Sequence, residues 1–329
     1  MAEDSVRWVE AEEAFLLEAL LARSPQRVPF IEAPFAQAAQ RLFRVRLRWL
    51  GYRRGDRLLA AVPIFEARRL LLGRLTRIPP LAVYLPFVLA PMSEADYWRA
   101  CRELLRFLEA RYGLCHFILH PTQPDVRPFQ WRGWSVEPRY TYWITLDEPE
   151  RMLKSYSESV RRAWRRYADR YAFLAHDPEA WGAMVELHRA SYLRRGRRPP
   201  LPEAAHRSLA QDLGADERSG PLRVASVRDV QGRVLATIGW LGSAGTAYYW
   251  MAGSRRDVPQ AMTVLLGHWF RHLAEAGWTR VDFVGANTPS IAEFKRRFGG
   301  KLIGYYRVWR YRRPWWAIVD RIRSRKALG

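Results

Sequence analysis

The feature that most constrains the fold is an alternation of short apolar strands with amphipathic helices, in a similar order in both halves of the chain. In the first half, apolar periodicity predicts helices at 8–23 and 35–43, a strand hairpin at 44–69, a helix capped by Ser93, and a strand at 114–121. Because hairpin strands are antiparallel and no Gly-x-Gly-x-x-Gly pattern follows a strand, the order disfavours a doubly wound dinucleotide fold.

The second half repeats this order. Helices are predicted at 151–171 and 178–195, followed by three strands, a long helix, a strand, a short helix and a last strand. The joint falls near residues 146–152. The sequence therefore predicts a mixed α/β (α+β) chain of two domains, 1–148 and 149–329, with a basic C-terminal tail and an internal structural duplication.

Composition limits the class of protein. The 329 residues are 49% hydrophobic, which suits packed domains, and the two cysteines, Cys101 and Cys115, are too few for a disulfide framework. The acidic N-terminus lacks the order of a signal peptide, and the apolar run at 78–92 is short and broken by prolines. We therefore expect a cytoplasmic protein without a transmembrane helix.

The net charge of +21 is concentrated in two stretches. Residues 151–200 carry twelve Lys and Arg against five Asp and Glu, and residues 296–329 carry eleven against one. Clustered charge attracts polyanions such as RNA, anionic lipid head groups or nucleotide pyrophosphates. The alternative is a surface on which Arg is simply the default residue.

The helix SVRRAWRRYADRY contains two i,i+4 arginine pairs, Arg161 with Arg165 and Arg162 with Arg166. Such pairs repel each other unless an anion lies between them, and the guanidinium fork suits phosphate oxygens. The pattern indicates contact with phosphates of RNA or of a nucleotide. The alternative is a solvated face paired to nearby carboxylates.

Two other basic segments have open interpretations. The loop YLRRGRRPP, residues 192–200, is either a contact for an RNA backbone or a plain surface loop. In the tail, Trp315 and Trp316 stand among Arg and Lys, a pattern that suits an anionic membrane surface at the inner membrane. The favoured alternative is a terminal helix that packs its tryptophans against the first domain.

Lys295 is one of only four lysines in the chain. In the predicted helix of DFVGANTPSIAEFKRRFGG, Ile291, Phe294 and Phe298 form the apolar stripe, and Lys295 lies near its edge. A partly buried ammonium there could stabilise an oxyanion, an effect of about 3 kcal/mol for one donor, or hold a phosphate. The alternative is a surface lysine beside an aromatic pair.

Six stretches together resemble a known family: TAYYWMAG, EAGWTRVDFVGAN, IAEFKRRFGG, the Arg-rich helix, PFIEAPFAQAAQRLF and RLLAAVPIFEARR. They resemble the tandem GNAT-fold Fem ligases and the related CelD-like acyltransferases. The resemblance implies two tandem GNAT-like domains with mixed central sheets and transfer of an acyl group to an amine. In Fem ligases the donor is an aminoacyl-tRNA and the acceptor is the peptide of a peptidoglycan precursor.

The chain departs from the pattern with which ordinary GNAT enzymes hold acyl-CoA. The stretch GSRRDVPQAMTV has no glycine between Arg255 and the helix, and Pro259 removes one backbone donor. This favours aminoacyl-tRNA as the donor and no bound cofactor, with acyl-CoA as the alternative donor. Residues 171–220 also leave no room for the helical arm of some Fem ligases.

The resemblance and the patterns together name the candidate site. The catalytic candidates are Lys295, Tyr249 and Asp257. The candidates for binding substrate or tRNA are Arg161, Arg162, Arg165, Arg166, Trp250, Arg255, Asn287 and Phe294. Asp257 and Asp282 are the candidate general bases, and backbone N–H groups of TAYYWMAG with Lys295 are the candidate oxyanion donors. His268 and His272 are spaced for a metal, but they lack a third ligand, so no metal is expected.

Three functions follow from this sequence. The first is an aminoacyltransferase that moves an amino acid from aminoacyl-tRNA to an amine of a peptidoglycan precursor or similar peptide. The second is an acyl-CoA N-acyltransferase that acts on a sugar or peptide amine in cell-wall or polysaccharide metabolism. The third is an inactive module that binds RNA or a membrane surface.

Overall fold

The structure, a computed structural model, describes residues 3–69, 73–217 and 219–313. The described chain divides into two compact units. The first comprises residues 3–139 with 304–313, and the second comprises residues 140–303.

The first unit is built on a mixed sheet with helices. Its strands are β1 (Asp4–Trp8), β2 (Arg46–Arg54), β3 (Arg57–Arg69), β4 (Gly73–Thr76), β5 (Val88–Leu89) and β6 (Leu114–Ile118). Its helices are α1 (Ala14–Arg23), α2 (Ala33–Phe43), α3 (Glu94–Arg111) and α4 (Arg127–Trp131). The order β1-β2-β3-β4-β6 is antiparallel except for the parallel pair β4–β6, so the sheet is mixed, as predicted.

Local signals explain two elements of this unit. The predicted hairpin is β2–β3, which closes at the pair Arg54–Arg57 around Gly55, whose φ of 56° suits glycine. Ser93 caps α3 as predicted, because its side chain accepts a hydrogen bond from the backbone N–H of Asp96.

The strand β7 (Ser135–Thr145) leads into the second unit. Further strands of that unit are β8 (Ala172–Leu174), β9 (Leu222–Arg228), β10 (Val234–Ser243), β11 (Thr246–Ser254) and β12 (Arg280–Asp282). Its helices are α5 (Pro149–Ser155), α6 (Glu158–Tyr167), α7 (Trp181–Leu193), α8 (Glu203–Asp212), α9 (Ala261–Glu275) and α10 (Pro289–Arg296). The sheet order β8-β9-β10-β11-β12-β7 contains one parallel pair, β11–β12.

Helix α9 fills the core of this unit. Its buried residues include Leu265, Trp269, Phe270 and Leu273, which are inaccessible to solvent. They pack in one cluster with apolar residues of the sheet and with Phe298 after α10. Burial of a large aromatic side chain stabilises by about 1.5–3 kcal/mol, so this cluster fixes both helices against the sheet.

The last strand, β13 (Lys301–Tyr311), enters the first unit, where residues 307–311 pair antiparallel with β6. The sequence placed the joint after residue 148 and gave residues 304–313 to the second domain. The compact units divide after residue 139 instead. Residues 304–313 belong to the first unit because β13 joins its sheet through this pairing. The tail with Trp315 and Trp316 lies outside the described residues.

Several elements differ from the sequence prediction. Within the predicted helix 8–23, Trp8 is the last residue of strand β1, which pairs with β2, and only Ala14–Arg23 is α-helical. The predicted helix 151–171 is broken between α5 and α6, where Tyr156 and Ser157 are extended. Strands β7 and β8 and helix α4 lie where the sequence predicted no element of that type.

Candidate functional site

A pocket opens in the second unit where two strands part. Strands β11 and β12 pair in parallel only over residues 246–248 and 280–282. Beyond that point β11 continues to Ser254, whereas the chain leaves the sheet after Asp282. The pocket has a volume of about 420 Å³ and is lined from β11 by Tyr249, Trp250 and Ala252.

A β-bulge shapes this edge of the pocket. In the pairing of β10 with β11, Gly239 lies opposite Met251 and Trp240 lies opposite Tyr249, so Trp250 has no cross-strand partner position. A bulge bends its strand and redirects the side chains beside it. The bulge thus accompanies the divergence of β11 from β12.

The turn after β12 forms the opposite wall of the pocket. Val284 has a φ of 48°, which is costly for a β-branched residue, and Gly285 has a φ of 120°. The buried carboxylate of Asp282 holds this turn. It accepts hydrogen bonds from the Val284 N–H at 2.7 Å, the Thr141 hydroxyl at 2.7 Å and the Trp143 indole N–H at 2.9 Å.

Lys295 is buried at the base of the pocket, with only 6% of its surface exposed. Its Nζ donates to the carbonyl oxygens of Phe283 at 2.5 Å and Gly285 at 2.6 Å. Two positions on the nitrogen are thereby used. The remaining one is an N–H when the group is charged and a lone pair when it is neutral, and neither of these two bonds uses it.

The protonation of Lys295 is poised near neutrality. Burial lowers the pKa of the Lys295 amine from 10.5 to about 7, while the negative charge of Asp282 opposes the shift and the positive charge of Arg195 adds to it. Nζ also lies 5.4 Å from the ring centroid of Tyr249 and 5.5 Å from that of Phe283. Both the ammonium and the free amine are therefore available at neutral pH.

Lys295 turns inward because it lies three residues before Phe298, on the same face of the chain, and Phe298 packs in the core. Phe298 is fully buried, with its ring 5.6 Å from Tyr156, 5.9 Å from Phe270 and 5.3 Å from Phe294. The predicted stripe is only partly observed, because Lys295 is the buried residue within α10 and Phe294 is half-buried.

Helix α7 and the turn after it provide a further wall. His188, Ser191 and Tyr192 of α7, and Arg195 two residues past its end, all line the pocket. The sequence singled out the loop 192–200 but not His188 or Ser191. The Nδ1 of His188 lies 3.2 Å from the Nε2 of the buried His206. Burial lowers the pKa of His188 to about 3 and that of His206 to about 4, so both imidazoles are neutral at pH 7.

A second depression, here called the basic groove, lies on the other side of Phe294. It has a volume of about 310 Å³, and Phe294 lines both it and the pocket. Arg162, Arg166 and Arg297 line the basic groove together with Gln260 at the N-terminus of α9. Guanidinium groups and the N-terminus of a helix both favour bound phosphate.

Five of the predicted residues line the pocket: Lys295, Tyr249, Trp250, Asn287 and Phe294. The Tyr249 hydroxyl is directed to the Met262 sulfur at 3.6 Å, and burial raises the Tyr249 pKa, so its ring is a wall and its hydroxyl is a poor proton carrier. The Asn287 amide bonds the backbone of Tyr140, with its Oδ1 2.8 Å from the Tyr140 nitrogen.

Other predicted residues lie apart from the pocket. Asp257 is exposed and pairs with Arg233 at 3.3 Å, and Arg255 donates through Nε to the Val234 carbonyl. Their position follows from the loop after β11, which leaves the sheet before α9. Asp257 therefore does not face Lys295, and Asp282, the other candidate base, is used to hold the turn.

The Arg-rich helix is divided by its surroundings. Arg162 and Arg166 line the basic groove, Arg161 pairs with Glu158 at 2.8 Å, and Arg165 is exposed. The pair Arg162 and Arg166 is therefore available to an anion, as the prediction of phosphate contact requires. Arg161 instead has a carboxylate partner, as the alternative of a solvated face predicts.

Two negative findings concern the described residues only. Within them, no group of three or more His, Cys, Asp or Glu is placed to hold a metal ion, and the His268 Nε2 lies 3.1 Å from the Ala168 carbonyl oxygen instead. No helix in this part of the chain combines the length and apolar character needed to cross a membrane.

These features define a GNAT-type domain: strand β11 is bulged and diverges from its parallel neighbour β12, and the N-terminus of the following helix, α9, borders a groove suited to phosphate. Residues 154–296 match the family described as Acetyltransferase (GNAT) domain. The chain as a whole has the tandem GNAT fold. None of the curated proteins matches it in sequence.

The structure of FemX has a TM-score of 0.69, with 12% sequence identity over 92% of this chain and 96% of that one. The structure of L-PGS from Bacillus licheniformis has a TM-score of 0.55, with 14% identity over 98% of each chain. A tandem GNAT protein from the clavulanic acid biosynthesis pathway has a TM-score of 0.50, with 14% identity over 95% and 99%. These similarities confirm the predicted fold.

Proposed function

We propose that the chain is an acyltransferase that moves an aminoacyl group from an aminoacyl-tRNA to an amine. The observation that carries the proposal is the buried Lys295, whose pKa of about 7 and free nitrogen position suit proton transfer inside a pocket. The fold shared with FemX and the match to an acetyltransferase family support the same class of reaction.

The donor would extend over both depressions. Phosphates of the tRNA 3′ end would lie in the basic groove beside Arg162, Arg166 and Arg297, and the aminoacyl group would pass Phe294 into the pocket. Because Phe294 lines both depressions, they adjoin at this side chain. The acceptor amine, on a peptidoglycan precursor or a similar peptide, would enter the pocket from solvent.

The geometry supports general acid–base catalysis by Lys295. The neutral amine of Lys295 takes a proton from the acceptor nitrogen as that nitrogen attacks the ester carbonyl and forms the C–N bond. The C–O bond to the ribose then breaks, and the Lys295 ammonium returns the proton to the leaving oxygen. The ammonium also stabilises negative charge that develops on the carbonyl oxygen.

A transfer assay with radiolabelled aminoacyl-tRNA tests the proposal. We expect Lys295→Ala to lower the transfer rate by about 10²–10⁴-fold, the usual contribution of a positioned acid–base group. Lys295→Arg separates the two roles, because arginine keeps the charge but does not release a proton near pH 7. A loss in both variants supports proton transfer, whereas activity in the arginine variant would assign only a charge-stabilising role.

The matched control is Lys301→Ala, since Lys301 is an exposed lysine at the start of β13. It should transfer at the wild-type rate. Equal transfer by wild type and Lys295→Ala would refute the assignment of Lys295.

Acyl-CoA is the second candidate donor, because the N-terminus of α9 borders the basic groove and could bind a pyrophosphate. Calorimetry with acetyl-CoA, together with the transfer assay, decides between the donors. Tight acetyl-CoA binding without transfer from tRNA would replace the first candidate with the second.

A further inference from the structure

The pocket beside Lys295 has an unbalanced positive charge. Lys295 and Arg195 both line it, and among the described residues of its lining none is Asp or Glu. The nearest carboxylate that acts on Lys295, that of Asp282, is buried and accepts three hydrogen bonds from Thr141, Trp143 and Val284. A ligand that carried only positive charge would be repelled by both basic groups.

Two uncharged neighbours orient Arg195. Its Nη2 donates to the Ser191 hydroxyl at 3.3 Å, and its guanidinium lies 5.2 Å from the ring centroid of Tyr192. No carboxylate of the described residues pairs with it, whereas Arg189 and Arg207 from the neighbouring turns of α7 and α8 both pair with Glu203. Most of the five guanidinium donors of Arg195 are therefore available to a ligand.

Neighbouring arginines show that this arrangement is particular to Arg195. Arg194 donates to the Ser254 carbonyl and Arg197 donates to the Thr288 hydroxyl, each at 3.3 Å. Neither lines the pocket. Of these three arginines Arg195 lines the pocket, whereas Arg197 reaches only the lining residue Thr288.

We propose that Arg195 is a specificity-determining residue that binds a carboxylate of the acceptor, so that the acceptor is an amine that also carries a free carboxylate. The guanidinium fork pairs with a carboxylate through two parallel hydrogen bonds. This contact anchors the acceptor while its amine faces Lys295. The proposal rests on the proposed acyl transfer at the same pocket.

The carboxylate could belong to a free amino acid or to a residue of a peptide. Two pairs of acceptors distinguish these sources: lysine against cadaverine, which lacks only the carboxylate, and Gly-Lys against Gly-Lys amide. We expect wild type to prefer the carboxylate member of one pair or both by about 10- to 100-fold in kcat/KM, the usual effect of a charge-assisted hydrogen bond. Preference in the first pair assigns a free amino acid, and preference in the second assigns a peptide.

Arg195→Gln should abolish the preference, so that the ratio of kcat/KM for the carboxylate acceptor to kcat/KM for its uncharged analogue falls to about 1. Arg194→Gln is the matched control and should keep the wild-type preference. Equal use of both members of both pairs by wild type would overturn the proposal.

A second readout does not depend on transfer. With only four lysines in the chain, the ¹³Cε resonance of Lys295 can be assigned by its loss in Lys295→Ala. Binding of the carboxylate member of the preferred pair should raise the pKa of Lys295 in wild type and in Arg194→Gln, but not in Arg195→Gln.

This readout separates the two proposals. A carboxylate-dependent shift without transfer from any donor would leave the carboxylate site standing and reject the acyltransferase. Transfer at equal rates to acceptors with and without a carboxylate would support the acyltransferase and reject the carboxylate site. If inorganic phosphate raises the pKa and the carboxylates do not, Arg195 binds phosphate and the inference fails.

Discussion

At the scale of the residue, the amine of Lys295 couples the chemistry of the site to stability. Its pKa is about 7 in the folded chain and about 10.5 in the unfolded chain. The unfolded state therefore binds the proton more tightly, and the resulting loss of stability is complete below pH 7. It shrinks as the pH rises from 7 to 10.5 and is absent above that range. The full cost is on the order of 5 kcal/mol.

The test of this coupling is the pH dependence of unfolding for Lys295→Met. The free energy of unfolding of the variant minus that of wild type should be larger at pH 6 than at pH 9.5 by roughly 3 kcal/mol. The reason is that methionine carries no charge that burial penalises. Urea unfolding at the two pH values measures this difference. Lys301→Met is the control, and its stability should remain parallel to that of wild type. Parallel curves for Lys295→Met would mean that the amine is not desolvated.

The pocket residues differ in how far the sequence could reveal them. Lys295, Trp250 and Phe294 lie in the stretches that carry the family resemblance, and they do line the pocket. Arg195 and His188 come from a different segment, so no local pattern connected them to Lys295. The available signal was the seven-residue spacing between His188 in α7 and Arg195 in the turn after it, which equals about two helical turns. Asp257 was a candidate base, but the loop before α9 places it at the surface beside Arg233, which depends on tertiary structure.

At the scale of the element, α10 is held by the glycine that follows it. Gly299 has a φ of 73°, and a Cβ added there would lie 2.5 Å from the carbonyl oxygen of Ser155 at the end of α5. Such a contact requires backbone to move, so a side chain would push the end of α10 away from α5 and disturb Lys295 within it.

We expect Gly299→Ala to destabilise the protein by about 2 kcal/mol more than Gly277→Ala does. Gly277 is the matched control, because its φ of 80° imposes similar strain while nothing lies within 4 Å of an added Cβ. Thermal and urea unfolding of the two variants give the comparison, and Gly299→Ala should also lower transfer. Equal destabilisation would show that α10 is not anchored at this contact.

The elements that sequence predicted best were those with local signals. The β2–β3 hairpin has a glycine turn and alternating residues, and α3 has a serine cap. In contrast, the predicted helix 8–23 began too early, because Trp8 belongs to strand β1, which forms only by pairing with β2. The interruption at Tyr156 and Ser157 was also missed, since the backbone N–H of Ser157 bonds the distant Arg297 carbonyl. Tertiary pairing decided these elements.

At the scale of the whole molecule, a net charge of +21 attracts any polyanion, and only part of that attraction is specific. Specific binding differs from this general attraction in the number of phosphates that are held at fixed positions. Each phosphate neutralised releases counterions, so the affinity for tRNA should fall as salt rises, with a log–log slope proportional to the number of contacts. The basic groove predicts that Arg162 and Arg166 provide some of these contacts.

We therefore expect Arg162→Gln/Arg166→Gln to reduce the magnitude of the salt slope for tRNA binding by roughly 1–2. The control is Arg102→Gln/Arg106→Gln on α3, which removes the same charge from two arginines that both pair with Glu103. Its slope should equal that of wild type, because those guanidiniums already have a carboxylate partner. Fluorescence anisotropy of labelled tRNA over a salt series measures both slopes. If the two double variants change the slope equally, tRNA senses the overall charge of the chain and the basic groove is not its phosphate site.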